Sequence, residues 1–260
     1  WWCVEITMRS LMCRRKVALF EVGDMSQSQI LRRLGVRLSC RPMFRKDLGI
    51  IEVPKMLHRD GKNIEIDTVE ILCEKIARAE ACKKAVKRFV RRNGIKPEDP
   101  HVMFSCHPNT SVNVSDISGI LDGWAIQRNF VPDIIVIDYP DILAPEPGCG
   151  HMTTKDRTNE TWKALRKLSQ QKHCLVVVPT QADAASYNVE LLGPENFTDD
   201  RRKLDHPTGV FGLNQTKEEK AQGIMRLNWI NLREDEFATD RCLYVGQQLK
   251  LGRPFCCGTY

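Results

Sequence analysis

The chain reads as an α/β protein built on a mostly parallel sheet. Three observations lead there. Runs of large apolar residues recur at 17–22, 134–137 and 175–178, the pattern of strands buried on both faces. Between them lie stretches whose apolar residues follow helical spacing, such as Val4, Met8, Leu11 and Met12, so strand and helix alternate as in crossover-connected parallel sheets. Polar groups suited to a common ligand, Asp24, Asp138 and Gln181, follow the ends of these runs. Open parallel sheets gather their ligands at those carboxyl ends.

In chain order, residues 4–13 predict a helix with Arg14, Arg15 and Lys16 at its end, where cations suit the helix dipole. Val17-Ala18-Leu19-Phe20-Glu21-Val22 predicts a strand, and 27–34 the next helix. Around the turn Asp60-Gly61-Lys62, residues 49–53 and 63–66 predict a short hairpin, inserted within about 40–68. Leu72, Ile76, Ala79, Cys82, Val86 and Phe89 form the apolar stripe of a long helix over 69–92. Its last turns carry Lys83, Lys84, Lys87, Arg88, Arg91 and Arg92. Two readings stand for them: a nucleic-acid patch, or a solvated face. The lack of interleaved aromatics favours the second.

Residues 101–105 predict a third strand, 113–116 a helix cap and 117–129 its helix. Ile134-Ile135-Val136-Ile137 is the central strand, ending on Asp138-Tyr139-Pro140. The plainer reading of that end is a buried strand that exits into a turn. A loop follows over 141–156, then a helix over 157–170 with Trp162, Leu165 and Leu168 on one face. The run 175–178 is a fourth strand, 182–222 is polar and mixed, and 225–232 and 243–248 are antiparallel strands.

Composition narrows the class. The 260 residues suffice for one large α/β domain, or at most two small ones. With 42% hydrophobic and 28% charged residues the chain has ordinary globular composition. No apolar run approaches the ~18 residues of a membrane helix. The net charge of +6 permits a polyanionic partner without demanding one. Eleven cysteines lack any Cys-x-x-Cys pair and read as reduced thiols, mostly filling the core. Cys106-His107 and Cys149-Gly150-His151 are each half of a zinc pattern, with no second half at matching spacing.

Asp24, Asp138 and Gln181 together form the equipment of a nucleotide-hydrolysing core. One acid can orient or deprotonate water, a second can hold Mg²⁺ through its waters, and a glutamine can sense the γ-phosphate. At this point the sequence resembles the ATPase domain of DnaB-type replicative helicases, in a divergent form like those that phages encode. The pieces that match, in order, are Phe20-Glu21-Val22-Gly23-Asp24-Met25-Ser26 with Arg33, then Ile134-x-Val136-x-Asp138-Tyr139. Arg157-x-x-x-x-Trp162-x-x-Leu165 and Val178-x-x-Gln181 follow. The resemblance spans nearly the whole chain outside about 40–95. It implies a RecA-like three-layer sandwich with a mostly parallel central sheet and antiparallel strands near the C-terminal edge.

The resemblance also implies roles. Asp24 falls at the family's catalytic glutamate, Asp138 at its Mg²⁺-orienting acid, Gln181 at its sensor, and Arg33 at a nucleotide-contacting arginine. Lys250, or Arg253 nearby, falls where the family has a basic finger that reaches the neighbouring subunit's nucleotide. Arg201, Arg202, Lys203, Thr208 and Gly209 fall in its DNA-contacting loop. ATP and Mg²⁺ as cofactors, single-stranded DNA as partner, a homo-oligomeric ring (a hexamer in the family) and a cytoplasmic setting in a bacterium or phage-infected cell are implied likewise.

One departure is an absence. No Gly-x-x-x-x-Gly-Lys-Ser/Thr occurs anywhere. A single domain over 1–260 is expected, with its phosphate loop lying upstream of Trp1 and nucleotide binding by these residues alone poor. Two alternatives remain: an ATPase of recombination or regulation on the same fold, or a RecA-fold binding module without activity.

Overall fold

The computed structural model describes residues 1–23, 25–61, 63–96, 98–183, 186, 189–197, 201–238 and 241–260, without the side chain of Arg201. In chain order the elements are α1 (Trp2–Met12), β1 (Val17–Val22), α2 (Gln27–Ser39), β2 (Gly49–Asp60), β3 (Asn63–Cys73), α3 (Ala79–Arg92), β4 (Val102–His107) and α4 (Val114–Arg128). Then follow β5 (Ile134–Asp138), α5 (Thr154–Lys172), β6 (Leu175–Val177), β7 (Gly209–Asn214), α6 (Lys217–Gln222), β8 (Ile224–Leu232), β9 (Leu243–Gln248) and β10 (Arg253–Thr259). The chain divides into two units, one of residues 6–31 and 87–181, the other of 1–5, 32–86 and 182–260.

The first unit carries the parallel sheet, in the order β4-β1-β5-β6. All six residues of β1 are buried, because both faces of a central parallel strand are covered. Ala18, Phe20 and Val22 share one face with Ile135 and Ile137 of β5. They pack with Val114, Ile117 and Leu121 of α4 and Trp162, Leu165 and Leu168 of α5. Val17, Leu19 and Glu21 alternate to the opposite face and are buried as well.

The cap expected at 113–116 is a full capping box. Asn113 Oδ1 accepts from the Asp116 N–H (2.9 Å), and Asp116 Oδ2 accepts from the Asn113 N–H (3.0 Å). Such a cap is worth about 1 kcal/mol. The helix expected over 117–129 therefore starts at Val114, directly after its cap.

The second unit holds an antiparallel sheet, β10-β9-β8-β7, and the hairpin β2-β3. The strands expected at 225–232 and 243–248 are β8 and β9, paired antiparallel. The antiparallel strands form a hydrogen-bonded sheet of their own among the described residues. The strands β7 and β10 were not legible. They carry Gly209, Gly212 and Gly258 and adjacent cysteines in place of a clean alternation, which blurs the period-two signal.

The long helix expected over 69–92 is overturned over residues 69–78. Residues Val69 to Cys73 end β3, with Val69 opposite Val53 and Ile71 opposite Ile51. The helix begins only at Ala79. Leu72 and Ile76 matched a helical stripe by spacing alone, but Val69 and Ile71 are β-branched and pair best on a pleated surface. The hairpin is thus longer than 49–53 and 63–66. It turns at Gly61 (φ +58°) and buries Ile51, Val53 and Cys73 against Leu251.

Of the eleven cysteines, all free, only Cys3 and Cys73 are buried; Cys13 is exposed and the others are half-buried. They fill the core less than composition suggested. Burial pushes the Cys174 and Cys256 thiols up to about 11, so neither is a thiolate near neutral pH.

Candidate functional site

The parallel sheet explains why three separate sequence segments meet. β5 lies between β1 and β6, so the chain leaves all three neighbouring strands at the same edge. Asp138 is the last residue of β5. It is half-buried, directly after the fully buried Ile135, Val136 and Ile137. The peptide after it, Asp138–Tyr139, is cis. Gln181 follows β6 and is exposed. Next to it, the Thr180 hydroxyl donates to Asp141 Oδ2 at 2.7 Å. That bond ties the segment after β6 to the turn after β5.

Asp24 lies outside the described residues. Gly23 has φ +142°, a conformation that L side chains rarely adopt. A Cβ there would sit 2.5 Å from Ile142 Cδ1 and 3.2 Å from Asn109 Cβ. Gly23→Ala is therefore expected to cost about 2 kcal/mol, from backbone strain and overlap together. Equilibrium denaturation measures it. A cost within about 0.5 kcal/mol of zero would show that the turn does not need glycine.

One carboxylate was missed in the sequence. Glu21 is 1% exposed, pairs in register with Asp138 across β1 and β5, and accepts the Met25 N–H on Oε1 at 3.0 Å. It holds the backbone at Met25. The signal was present: an acid inside an apolar strand is rarely buried without a task.

A second group, His107, ends β4 opposite Val22. Its Nε2 lies 2.8 Å from Ser105 Oγ. Burial holds it below the ordinary histidine value, so it is neutral at pH 7.

The other expected residues belong to the second unit. Arg33, on α2, stacks its guanidinium 5.6 Å from the centre of the Trp1 ring. Lys250 is exposed on the single 3-10 turn Leu249–Leu251. Arg253, on β10, turns inward, and its Nη2 donates to Cys40 Sγ at 2.9 Å. Of the two candidate fingers, Lys250 is the one presented to solvent.

Arg202 and Lys203 are half-buried on the 3-10 turn Arg201–Asp205. Thr208 is exposed, and its carbonyl accepts the Arg233 N–H at 3.0 Å. Gly209 opens β7 beside the Trp229 ring. The stretch expected as a loop is thus a helical turn leading into a strand.

Among the described residues, no three His, Cys, Asp or Glu side chains gather as a metal site. That includes Cys106, His107, Cys149 and His151. No helix among them is long and apolar enough to cross a membrane.

No protein-family model matches the sequence, and no curated protein matches it. Solved structures do. One is described as an ATPase domain, with a TM-score of 0.66 and 11% identity, the match covering 96% of this chain and 78% of that one. Another is described as a DnaB-like replicative helicase, solved for its interactions with primase, with a TM-score of 0.62 and 11% identity. The match covers 92% of this chain and 50% of that one, so the chain spans about half its length. At such identity the likeness is one of fold: this chain carries the RecA-like fold of a DnaB-type helicase ATPase domain.

Proposed function

We propose that the chain is the motor domain of an ATP-driven DNA helicase or translocase, working as a homo-oligomeric ring, by family resemblance a hexamer, in the cytoplasm. The observation that carries this reading is the shared edge of β1, β5 and β6. There Glu21 and Asp138 stand in register, and the Thr180–Asp141 bond ties in the segment of Gln181.

The donor set fits Mg²⁺. That ion takes one or two carboxylates together with substrate phosphates and waters, and Asp138 offers a half-buried carboxylate at the strand tip. When bound, Mg²⁺ neutralises charge that builds on the transferred phosphoryl group. Asp24 is the candidate to orient and deprotonate the attacking water. Gln181 is the candidate to register the γ-phosphate. Arg33 would contact nucleotide from its own subunit. Lys250, with Arg253 the less accessible alternative, would reach the nucleotide of a neighbouring subunit. Lysine supplies a point charge there, without the fork of an arginine. Arg201, Arg202, Lys203, Thr208 and Gly209 would grip single-stranded DNA by its phosphates.

The sequence holds no phosphate-loop motif, so turnover by these 260 residues alone is expected to be weak. That same absence favours one competing reading, a RecA-fold binding module without activity. An ATPase of recombination or regulation is the other.

The test is strand displacement from a forked DNA duplex by the intact gene product. The motor reading expects displacement with ATP and Mg²⁺ and none with a non-hydrolysable analogue. Hydrolysis without displacement would favour the recombination or regulatory ATPase, and the absence of both the binding module.

A further inference from the structure

Helix α3 carries six cations, Lys83, Lys84, Lys87, Arg88, Arg91 and Arg92, and all six are exposed. At 3.6 residues per turn they fall on one half of the helix surface, in two rows: Lys83-Lys87-Arg91 and Lys84-Arg88-Arg92. The other half is apolar. Ala85 is buried there, and Cys82, Phe89 and Val90 are half-buried. Cys82 fixes the helix against α2, because a Cβ on Gly35 would overlap its side chain.

The arrangement is unfavourable to the helix that carries it. Each row places like charges four residues apart, which destabilises a helix. The dipole rewards cations only in the last turn, the place of Arg91 and Arg92. Lys83 and Lys84 lie far from that end. Glu80, in the first turn, stands three residues before Lys83 and four before Lys84 and offsets part of their charge. Lys87, Arg88, Arg91 and Arg92 have no acid at such spacing within α3. The ion pairs found among the described residues draw on Arg15, Lys16, Arg37, His58, His101, Lys163, Lys172 and Arg226, and on none of these six.

We infer that this face binds the phosphate backbone of double-stranded nucleic acid, without reading its sequence. Within each row successive cations are spaced about 6 Å along the axis, and a helix presenting rows on two sides meets a duplex that carries phosphates on both walls of its groove. No aromatic residue stands on the cationic half. Single-strand surfaces stack bases on aromatics, so the face suits phosphates whose bases are already paired. A membrane surface fits less well: it needs a broad free apolar face, and on the apolar half here Val86 alone of the large residues is exposed, while Ala85 is buried and Cys82, Phe89 and Val90 are half-buried. The surface shares no residue with the 201–209 stretch, and its binding requires neither ATP nor its hydrolysis.

The test is binding of the intact gene product to a random-sequence DNA duplex, without nucleotide, across about 50–200 mM salt. For the triple variant Lys83→Ala, Lys87→Ala and Arg91→Ala, the slope of log affinity against log salt is expected to become shallower by about 2.7. The thermal midpoint should hold or rise, since like-charge repulsion is relieved. Lys83→Arg with Lys87→Arg should bind as the parent does. An unchanged slope, or no duplex binding by the parent, would overturn the inference. So would lost binding to phosphatidylserine vesicles with duplex binding intact, which would mark a membrane surface. Because no nucleotide is present, failure here leaves the motor reading standing, and failed hydrolysis leaves this inference standing.

Discussion

Asp138→Asn is expected to lower ATP turnover by about 100- to 1,000-fold in the intact gene product, equivalent to several kcal/mol of barrier. The substitution keeps the volume of the side chain and removes its charge. Asp138 lies just beyond the buried run Ile135 to Ile137, so the core packing of β5 stays as it is. The thermal midpoint should therefore move little while turnover collapses. Steady-state turnover at saturating ATP and Mg²⁺, measured beside thermal unfolding, separates the two effects. Turnover within a few-fold of the parent would remove Asp138 from the site.

Glu5→Ala is expected to have the largest effect on stability. Glu5 is 1% exposed, and its carboxylate takes two hydrogen bonds from Arg37, from Nε at 2.6 Å and from Nη2 at 3.1 Å. The Glu5 carboxylate also holds the Arg37 guanidinium above its ordinary pKa. Removing one partner of a buried pair strands the other charge, at a cost of about 3–5 kcal/mol. In a chain of this size that lowers the midpoint by roughly 6–20 °C. Replacing both partners, Glu5→Leu with Arg37→Met, leaves no stranded charge and should recover most of the loss. Thermal and urea unfolding of the three proteins measures this. A single-variant cost below about 1 kcal/mol would mean that water reaches Arg37 once Glu5 is gone.

Legibility in the sequence followed burial and local chemistry. The strands β1 and β5 were readable because both faces of each are buried, and only large apolar residues satisfy that. The start of α4 was readable because Asn113 and Asp116 solve a local hydrogen-bonding problem that needs no tertiary partner. The same signal existed at α6, where Thr216 and Glu219 form a capping box inside a stretch that looked merely polar.

Other features depend on partners distant in sequence. Val69 to Cys73 became strand because residues 49–53 pair with them, and spacing within one segment cannot reveal that. β7 and β10 are made by pairing to β8 and β9, not by their own glycine-bearing sequences. At the candidate site, Asp138 could be named as a strand-end group, whereas Gln181 lies four residues beyond the end of β6. Glu21 could not be placed, because its register with Asp138 exists only once β1 and β5 lie side by side.

The central claim is that this fold turns over ATP in order to move on single-stranded DNA. Its most direct test is the rate of ATP hydrolysis by the intact gene product with and without single-stranded DNA, with Asp138→Asn as the control. The account predicts hydrolysis that rises with single-stranded DNA and vanishes in the variant. Hydrolysis indifferent to DNA, or no hydrolysis under either condition in a folded protein, would contradict it.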